Sequence, residues 1–404
     1  MIRKYLRFSA VGSVIVKSFK TMTTLLHIRG IARGINSPLV GRVTRNINKE
    51  TELSYFLLTP NVDTKTTGHY IGILTSQQYE PTAQSGLPVV YRLATLSHLE
   101  EGDIVVVSPE GNVNTLYRIG SRHNTLLLTE RCNSNCLMCS QPPKDRDDIP
   151  YFVWLYKKLI PMLPKDCREL GLTGGEPMLL GDSFFELLEL LKSELPETEL
   201  HILTNGRLFA KSELAKRYGD LNYRRSMLGI PLYSDYYQIH DHTVQAKGAF
   251  TQTVSGLYNL AKYDSRIEIR IVLHQLTIPR LVKLAQYIYK NLPFVEHIAF
   301  MGLENMGYAR SNFELLWMDP VDYQRELTES VMYLITQGMN VSIYNIQLCL
   351  MPEELWPFMR KSISDWKNIY LDECQNCSKL SDCGGLFASS AKGAHSKFIK
   401  AFNS

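Results

Sequence analysis

The chain has 404 residues, of which 45% are apolar and 21% are charged, and its formal net charge at pH 7 is +4. This is the composition of an ordinary soluble globular protein that can bury the cores of two or three domains. The small net charge, without long like-charge runs, gives no reason to expect nucleic acid or an acidic membrane surface as a partner. No apolar stretch reaches the about 18 residues of a spanning helix, so we expect no membrane segment.

The beginning of the chain is predicted to be β-rich. Residues 1–19 carry a few basic residues and an apolar patch that Lys17 interrupts, and because no small-residue cleavage site stands out, we expect mature sequence there. Short β-like runs then cover residues 39–43, 53–58, 70–74, 89–93 and 104–107. We predict a β-rich domain over 1–119, which either recognises a substrate or partner or only packs on the rest of the protein.

The central part of the chain alternates strand-like apolar runs with amphipathic helical patterns. The predicted strands cover residues 124–129, 169–173, 199–204, 227–232, 267–273 and 297–301. The predicted helices lie near residues 151–162, 183–194, 211–218, 249–262 and 280–290. Six repeated βα units predict an α/β domain over 120–310 whose parallel strands, joined by right-handed crossovers, close into a partial barrel. Ligands of such barrels bind at the C-terminal ends of the strands.

Three cysteines follow the first predicted strand with the spacing CxxxCxxC, namely Cys132, Cys136 and Cys139. Three protein ligands leave one coordination position of a metal centre open, so the motif favours a reactive iron centre over a closed structural site. A zinc knuckle or a loop of free thiols is the alternative.

The second predicted strand ends in Gly174-Gly175-Glu176-Pro177, one βα unit after the cysteines. Glycines at a strand end allow close backbone approach by a bound ligand, and Glu176 adds a carboxylate acceptor. Alone, this string is as often a tight turn. After a CxxxCxxC motif, it indicates a second part of one binding site.

The CxxxCxxC motif, the GGEP motif and the six βα units together resemble the radical S-adenosylmethionine (SAM) superfamily. The resemblance implies that Cys132, Cys136 and Cys139 hold three irons of a [4Fe-4S] cluster and that the open fourth iron binds the methionine amine and carboxylate of SAM. It further implies reductive cleavage of SAM to a 5'-deoxyadenosyl radical, which abstracts a hydrogen atom from a substrate carbon.

The same resemblance assigns positions around SAM. It implies that Gly174, Gly175 and Glu176 contact the amino group of the methionine moiety. It also implies that Thr204 and Asn205, at the end of the third strand, lie near the adenosine. These five residues are the expected first contacts of the cofactor.

For other candidate cofactor-binding residues, an ordinary structural role is an equally good explanation. Ser234 after strand four and Arg270 in strand five stand where the superfamily often holds the ribose or the methionine carboxylate, and the fork of Arg270 suits a carboxylate. An ordinary core or surface role is the alternative for both. Met138 stands where many members carry an aromatic residue near the adenine, which leaves that contact open. His240 and His242 suggest a metal site, a general base or a substrate-facing loop, against plain loop histidines.

Residues 311–404 contain a helical stretch at 321–336, a strand-like run at 340–346 and four further cysteines. These are Cys349, Cys374, Cys377 and Cys383. Four thiolates can fully ligate one iron–sulfur cluster, and a structural zinc is the alternative. The arrangement resembles the shortened, twitch-like relatives of the SPASM domain, which implies one auxiliary [4Fe-4S] cluster. A fully ligated cluster has no position for substrate, so we expect electron transfer and structural support from it.

The eight cysteines are too few for a disulfide scaffold, and their clustering argues for metal thiolates in a reducing compartment, the cytoplasm. The eighth, Cys167, precedes a predicted strand and is interpreted as a structural thiol. The predicted fold is thus a partial (β/α)6, TIM-like radical SAM barrel over 120–310, between the β-rich domain and an auxiliary cluster domain at 311–404.

A narrower resemblance is to HxsC, the radical SAM maturase family of His-Xaa-Ser systems. The resembling runs are residues 128–144, 302–309 and 381–390. This resemblance implies a ribosomally synthesised His-Xaa-Ser repeat precursor as substrate, the partner radical SAM maturase HxsB and an external electron donor. A radical SAM enzyme acting on a small molecule, and a non-enzymatic zinc or iron–sulfur binding module, are the two alternatives.

Overall fold

The structure is a computed structural model that describes residues 26–48, 54–60, 62, 69–79, 87–361, 369–390 and 394–402. The expectation for residues 1–19 lies outside these ranges. The described residues divide into two compact units. The first comprises the chain up to residue 125 with 150–167 and 193–196, and the second comprises 126–149, 168–192 and the chain from 197 onwards.

The first unit is built on an eight-stranded sheet. Its strands are β1 (His27–Arg29), β2 (Ile31–Arg33), β3 (Leu39–Thr44), β4 (Tyr55–Leu58), β5 (Gly72–Leu74), β6 (Val89–Tyr91), β7 (Ile104–Val107) and β8 (Asn112–Tyr117). Their order is β1-β8-β7-β3-β4-β5-β6-β2, with β3 to β6 parallel and the remaining pairs antiparallel. Strands β4 to β7 are buried throughout, which explains their continuous apolar sequences.

The predicted β-rich segment therefore contains three strands that the sequence pattern did not show. β1 and β2 have only three residues each, too short for an alternating pattern. β8 is polar in sequence, but Asn112 and Asn114 are buried in it and find partners. Asn112 Nδ2 donates to Ser108 Oγ at 3.1 Å, and Asn114 Oδ1 pairs with the His27 ring. Side-chain hydrogen bonds thus replace apolar contacts as the reason for burial.

The second sheet also has eight strands. They are β9 (Asn124–Leu127), β10 (Glu169–Thr173), β11 (Glu199–Leu203), β12 (Ser226–Pro231), β13 (Arg266–Leu273), β14 (His297–Gly302), β15 (Val341–Tyr344) and β16 (Met359–Arg360). They follow one another in chain order, and the pairings from β10 to β16 are parallel. The sheet is two strands longer than the predicted six, because residues from the predicted auxiliary segment supply β15 and β16.

Helices connect these strands. They are α1 (Ile149–Leu159), α2 (Asp182–Glu194), α3 (Ser212–Asp220), α4 (Tyr237–Val244), α5 (Ala249–Ala261), α6 (Leu281–Asn291), α7 (Tyr308–Ser311), α8 (Phe313–Leu316) and α9 (Gln324–Thr336). In α6, Leu281, Leu284, Ala285 and Ile288 are buried at the spacing of one helical face. Within the described ranges no helix is long and apolar enough to cross a membrane.

The two faces of the second sheet differ in chemistry. On β13, Ile267, Ile269 and Ile271 are completely buried on one face. Because side chains alternate along a strand, Glu268 and Arg270 lie on the other face, where polar groups of neighbouring strands meet them. In layered α/β folds helices pack on the apolar face of the sheet, so the face of Glu268 and Arg270 is the candidate ligand face.

Candidate functional site

The cysteine motif forms a loop directly after β9, at the C-terminal edge of the second sheet. Cys132, Cys136 and Cys139 are partly buried, and all three are free thiols. The Cys139 N–H donates to Cys136 O at 3.0 Å, which closes a tight turn. Residues 135 and 137 donate their backbone N–H groups to the last carbonyls of α4, both at 3.0 Å. Backbone hydrogen bonds to α4, made by residues that lie between the cysteines in the sequence, therefore hold the loop in place.

The GGEP motif packs against this loop. The Gly175 N–H donates to Thr129 O, and the Glu176 N–H donates to Arg131 O, both at 2.8 Å. A Cβ added at Gly174, whose φ is +153°, would lie 2.5 Å from Thr129 O, and one at Gly175 would overlap Arg131 O. The glycines are thus required by close approach of the chain's own backbone, a reason that the ligand-based expectation did not include.

Glu176 links the GGEP motif to the end of β11. Its fully buried carboxylate accepts from Thr204 Oγ1 at 2.7 Å, from the Asn205 N–H at 2.7 Å and from the Met178 N–H at 3.0 Å. Burial raises the pKa of this carboxyl, although the three hydrogen bonds act in the opposite direction. A carboxylate has about four acceptor positions. Glu176 uses three of them, and the hydrogen bonds from Thr204 and Asn205 connect the end of β10 to the end of β11.

The turn after β11 reaches back to the cysteine loop. Asn205 Nδ2 donates to Asn133 Oδ1 at 2.6 Å and lies 4.0 Å from Cys132 Sγ. Arg207 donates to Ser134 Oγ at 2.9 Å and also to Asn133 O. Asn205 therefore lies beside the first cysteine, and Thr204 is connected to the same region through Glu176.

Arg207 was not predicted from the sequence. It stands two residues after Asn205, and its Nε donates to Gln252 Oε1 of α5 at 2.7 Å. Its position directly after Thr-Asn-Gly was the only available signal. The Arg207 side chain therefore connects the cysteine loop both to the turn after β11 and to α5.

The segment after β14 supports the other end of the loop. The Tyr308 N–H donates to Cys139 O, and Asn312 Nδ2 donates to Leu137 O, both at 2.8 Å. Gly307 has φ +57°, and a Cβ there would lie 2.5 Å from Cys139 O and 2.6 Å from Ser140 O. The run 302–309, noted above as a point of family resemblance, therefore forms part of the wall of the cysteine site.

Burial disfavours the charged form of the three thiols. Burial raises the pKa of Cys132 to about 11 and that of Cys136 to about 12, and it also raises the pKa of Cys139. Bound iron would convert such thiols to thiolates with release of protons. Among the described residues, no group of three or more His, Cys, Asp or Glu is arranged to hold a single metal ion. An iron–sulfur cluster does not need such a group, because each thiolate binds a different iron.

An apolar residue, Met138, and an aromatic residue, Tyr233, lie next to the cysteines. Met138 is buried in a cluster with Tyr233, Val244 and Leu303, against which Cys136 packs. Tyr233, which follows β12, stacks on His240 with 5.8 Å between ring centroids. Burial, and then the charge of Cys136, raises the pKa of Tyr233. Tyr233 is an aromatic neighbour of the cysteine site that the sequence analysis missed.

Ser234 and Arg270 have partners within the chain. Ser234 is buried and its Oγ accepts from the Tyr236 N–H at 3.1 Å. Arg270 donates to Glu268 Oε1 at 2.7 Å and lies 3.1 Å from Met301 Sδ. Neither makes a direct contact with the cysteine loop in the described chain. Their assignment to SAM stays a prediction.

Glu268 is the centre of a polar network on the ligand-facing side of the sheet. Its other partners are His201 Nε2, 3.2 Å from Oε1, and His297 Nδ1, 2.7 Å from Oε2. His297 Nε2 pairs in turn with Ser342 Oγ at 3.0 Å. Burial opposes ionisation of Glu268, but the two imidazoles and Arg270 outweigh it and hold its pKa well below the usual range.

The two histidines predicted in a loop lie in α4 instead. His240 is buried and its pKa is lowered to about 4, because burial disfavours the charged ring. His242 is exposed, and Asp241 caps α5 by accepting from the N–H groups of Gly248 and Phe250 at 2.6 and 2.8 Å. The eight-residue helix lacks a clear apolar period, which is why the pattern did not predict it. The prediction of a loop is therefore wrong, whereas the metal-ligand and general-base interpretations stay predictions.

The four cysteines near the C-terminus come together in a second place. Cys349, Cys374, Cys377 and Cys383 line one cavity of the second unit. The Cys377 N–H donates to Cys374 O at 3.0 Å, closing the CxxC turn. Burial, and then the neighbouring thiols, raise the pKa of Cys349 and Cys374. Cys167 is buried beside Tyr117 in the first unit, apart from both groups.

Comparison with known proteins concerns mainly the central segment. Residues 126–288 match the sequence model of the Radical SAM superfamily. No curated protein sequence matches the chain. The fold is similar to Streptococcus suis SuiB bound to S-adenosylmethionine, with 15% sequence identity and a TM-score of 0.45 over 55% of this chain and 50% of that one.

Two further solved structures are similar. Native anSMEcpe with bound AdoMet and Cp18Cys peptide has 20% identity and a TM-score of 0.41, over 54% of this chain and 62% of that one. Coproporphyrinogen III oxidase (HemN) from Escherichia coli, described as a radical SAM enzyme, has 10% identity and a TM-score of 0.42, over 54% and 53%. The chain thus spans about half of SuiB and HemN and somewhat more of anSMEcpe.

Proposed function

We propose that this chain, whose residues 126–288 match the sequence model of the radical SAM superfamily, is a radical SAM enzyme that modifies a peptide or protein. One observation carries the cofactor part of the proposal. The CxxxCxxC loop is joined by direct hydrogen bonds to the GGEP motif and to the turn after β11, at one edge of a parallel sheet. This edge is where such folds bind their ligands.

The chain's own residues prepare this edge. Cys132, Cys136 and Cys139 would hold three irons of a [4Fe-4S] cluster and leave the fourth for SAM. When bound, the cluster and SAM supply a 5'-deoxyadenosyl radical that takes a hydrogen atom from the substrate. Glu176 and Arg207 fix the loop relative to β10 and β11, and the apolar cluster around Met138 excludes water. Rigid positioning of this kind is the protein's contribution to cofactor chemistry.

The remaining cofactor assignments belong to the same proposal. Gly174, Gly175 and Glu176 would contact the amino group of the methionine moiety. Thr204 and Asn205 would lie near the adenosine, and Ser234 and Arg270 near the ribose or the methionine carboxylate. For Arg270 the support is its place on the ligand-facing side of β13, where Glu268 orients its guanidinium.

The four C-terminal cysteines would hold one auxiliary [4Fe-4S] cluster. Their common cavity and their soft sulfur donors support this over a structural zinc only in combination with the radical SAM segment. A cluster with four protein thiolates has no position for substrate. We therefore assign it to electron transfer and structural support, in a twitch-like domain that begins near residue 311.

The substrate proposal rests on the sequence resemblance to HxsC. It names a precursor with His-Xaa-Ser repeats, the partner maturase HxsB and an external electron donor, in the reducing cytoplasm. The structure adds one supporting fact, since the resembling run 302–309 touches the cysteine loop through Gly307 and Tyr308. A family-specific sequence thus borders the reactive centre, where it can influence what is modified.

Anaerobic reconstitution tests the enzyme. The parent protein should bind about eight irons per chain and produce 5'-deoxyadenosine from SAM with a strong reductant. Cys136→Ala should abolish that product, whereas Cys167→Ala, a matched loss of a thiol outside both groups, should retain it. Full cleavage by Cys136→Ala would contradict the cluster assignment of the three cysteines, and bound metal without any cleavage in the parent would support the non-enzymatic module.

Mass spectrometry of a co-expressed repeat precursor tests the substrate. We expect a mass change in the precursor with the parent enzyme and none with Cys132→Ala. An unmodified precursor, together with SAM cleavage that only a small molecule accelerates, would favour the small-molecule enzyme.

A further inference from the structure

The four-cysteine cavity is lined on one side by a segment that follows the last cysteine. Residues 399, 400 and 402 line the same cavity as Cys349, Cys374, Cys377 and Cys383. This segment contains no cysteine, so the spacing of the cysteine motif gives no reason to include it in the site. Its backbone nevertheless approaches the sulfurs directly.

Two backbone N–H groups of this segment act on two of the four thiols. The Phe402 N–H lies 3.4 Å from Cys377 Sγ. Lys400 lines the same cavity as Cys349, and its backbone N–H acts on that sulfur. The N–H of Ala401, which lies between them, makes no hydrogen bond to any described residue.

The segment is anchored independently of the sulfurs. Phe402 O accepts from the Ser378 N–H at 2.9 Å and from Ser378 Oγ at 3.1 Å. The Phe402 ring packs edge-on against Trp356, with 5.3 Å between centroids. Trp356 Nε1 donates to the carbonyls of Leu348 and Met351, both at 3.1 Å. The N–H groups are therefore held in place by contacts that surround Cys349 and Cys377.

We propose that the backbone N–H groups of Lys400 and Phe402 tune the reduction potential of the auxiliary cluster, so that residues 399–402 are a positioning part of that site. The inference rests on the auxiliary cluster of the proposed function. One-electron reduction adds negative charge to the cluster and its thiolates, and hydrogen bonds to the sulfurs are among the factors that set cluster potentials. An N–H donor stabilises the more negative, reduced state. Its removal therefore lowers the potential.

Proline substitution removes a backbone donor and nothing else from the hydrogen-bond pattern. Phe402→Pro and Lys400→Pro are each compared with alanine at the same position, which keeps the N–H but loses the same side chain. Ala401→Pro is the control for a proline whose replaced N–H is unbonded. All variants are made in full-length Cys132→Ala/Cys136→Ala/Cys139→Ala protein, so that only the auxiliary site can hold iron. The measurement is an anaerobic redox titration followed by electron paramagnetic resonance.

The expected result is a lower midpoint potential for each proline variant than for its alanine counterpart, with Ala401→Pro at the parent value. Equal potentials within both pairs, or an equal shift in Ala401→Pro, would overturn the inference while leaving the auxiliary cluster intact. A parent that takes up no iron–sulfur cluster would overturn the auxiliary cluster and this inference together. The two failures are therefore distinguishable by iron content.

A measurement without proline covers variants that fold poorly. Amide hydrogen exchange in the triple-alanine parent should slow at residues 400 and 402, but not at 401, when the auxiliary cluster is loaded. Exchange at 400 and 402 that is the same with and without iron would contradict the proposed hydrogen bonds.

Discussion

At the scale of single residues, close backbone approach determines the candidate SAM edge more than charged side chains do. Gly175 lies against Arg131 O, and Gly307 lies against Cys139 O, so two glycines from different strand ends confine one loop. The glycine at 307 also adopts a left-handed φ of +57°. Any side chain at either position would need the cysteine loop to shift.

Gly175→Ala should therefore impair the first cluster. The added Cβ would overlap Arg131 O and come within 3.0 Å of Cys132 Cβ, so the loop must move. We expect a reconstituted variant to bind about four irons instead of about eight and to lose SAM cleavage. Gly181→Ala is the control, because nothing lies within 4 Å of its Cβ and only its φ of +60° causes strain, about 1–3 kcal/mol. Normal iron content in Gly175→Ala would contradict the argument.

His240 should make stability depend on pH. Its folded pKa of about 4 lies below the ordinary 6.5, so the unfolded chain binds the proton more readily and acid favours unfolding. The stability is fully present above about pH 6.5 and is lost as the pH falls towards about 4. Between pH 7 and pH 5 this residue alone should cost about 2 kcal/mol.

The measurement is urea unfolding of iron-free protein at pH 7 and pH 5. His240→Asn should reduce the loss of stability between the two values, although it lowers stability at both. His242→Asn, two residues along the same helix but exposed, should leave the difference unchanged. The same pH dependence in all three proteins would show that another group, such as the buried His274, dominates.

At the scale of elements, short helices after the strands hold the cysteine loop. The last carbonyls of α4 accept from the loop, and α7 begins with the N–H that donates to Cys139 O. Asn312 between α7 and α8 adds a side-chain donor to Leu137 O. These elements are too short for a strong sequence pattern, and their stability comes from the contacts they make.

Asn312→Ala should loosen the cysteine turn without disturbing the sheet. Loss of one partly buried hydrogen bond costs about 1 kcal/mol and leaves Leu137 O without that donor. We expect faster loss of the first cluster on dilution into chelator, with the auxiliary cluster unaffected. Asn291→Ala, which removes a similar bond to Tyr287 O at the end of α6, is the matched control. Equal cluster lifetimes in both variants would exclude a role of Asn312 in this site.

At the scale of the whole molecule, the two cysteine groups of the second unit differ in the number of thiols that they offer to a metal centre. Three thiols lie at the edge of the sheet, and four line a separate cavity. In the proposed function the open group carries the radical chemistry and the closed group transfers electrons. The first unit contributes a sheet of its own, and its part in recognition stays a prediction.

Cys374→Ala/Cys377→Ala should separate these two roles. The variant should lose about four irons but continue to cleave SAM when a chemical reductant is supplied, because the open site keeps its three thiols. Modification of the precursor should fall, since electron delivery and local structure depend on the second cluster. Iron counting, 5'-deoxyadenosine and precursor mass are measured on one preparation. Loss of SAM cleavage as well would show that the two sites are not independent.

Much of the fold and of the candidate site could be predicted from the local sequence, because the candidate ligands lie in short, contiguous motifs. The cysteine spacings, the GGEP turn and the alternation of 124–310 depend on neighbours along the chain, and the six predicted strands of that region all form. Periodicity is informative there, because parallel strands are buried on both faces and their helices on one.

Contacts between distant parts of the chain were decided only by the tertiary structure. Arg207 beside Asn133, Tyr308 on Cys139 and Phe402 on Cys377 join residues that no spacing relates. The joining of the predicted strand at 340–346 to the second sheet as β15, the strand β16 and the helix at His240 also depend on what they pack against. Sequence by itself determined which residues are candidates for binding metal and cofactor, since that is a property of residue type and local spacing. Tertiary structure decided how rigidly they are held, since that depends on hydrogen bonds and burial across the fold.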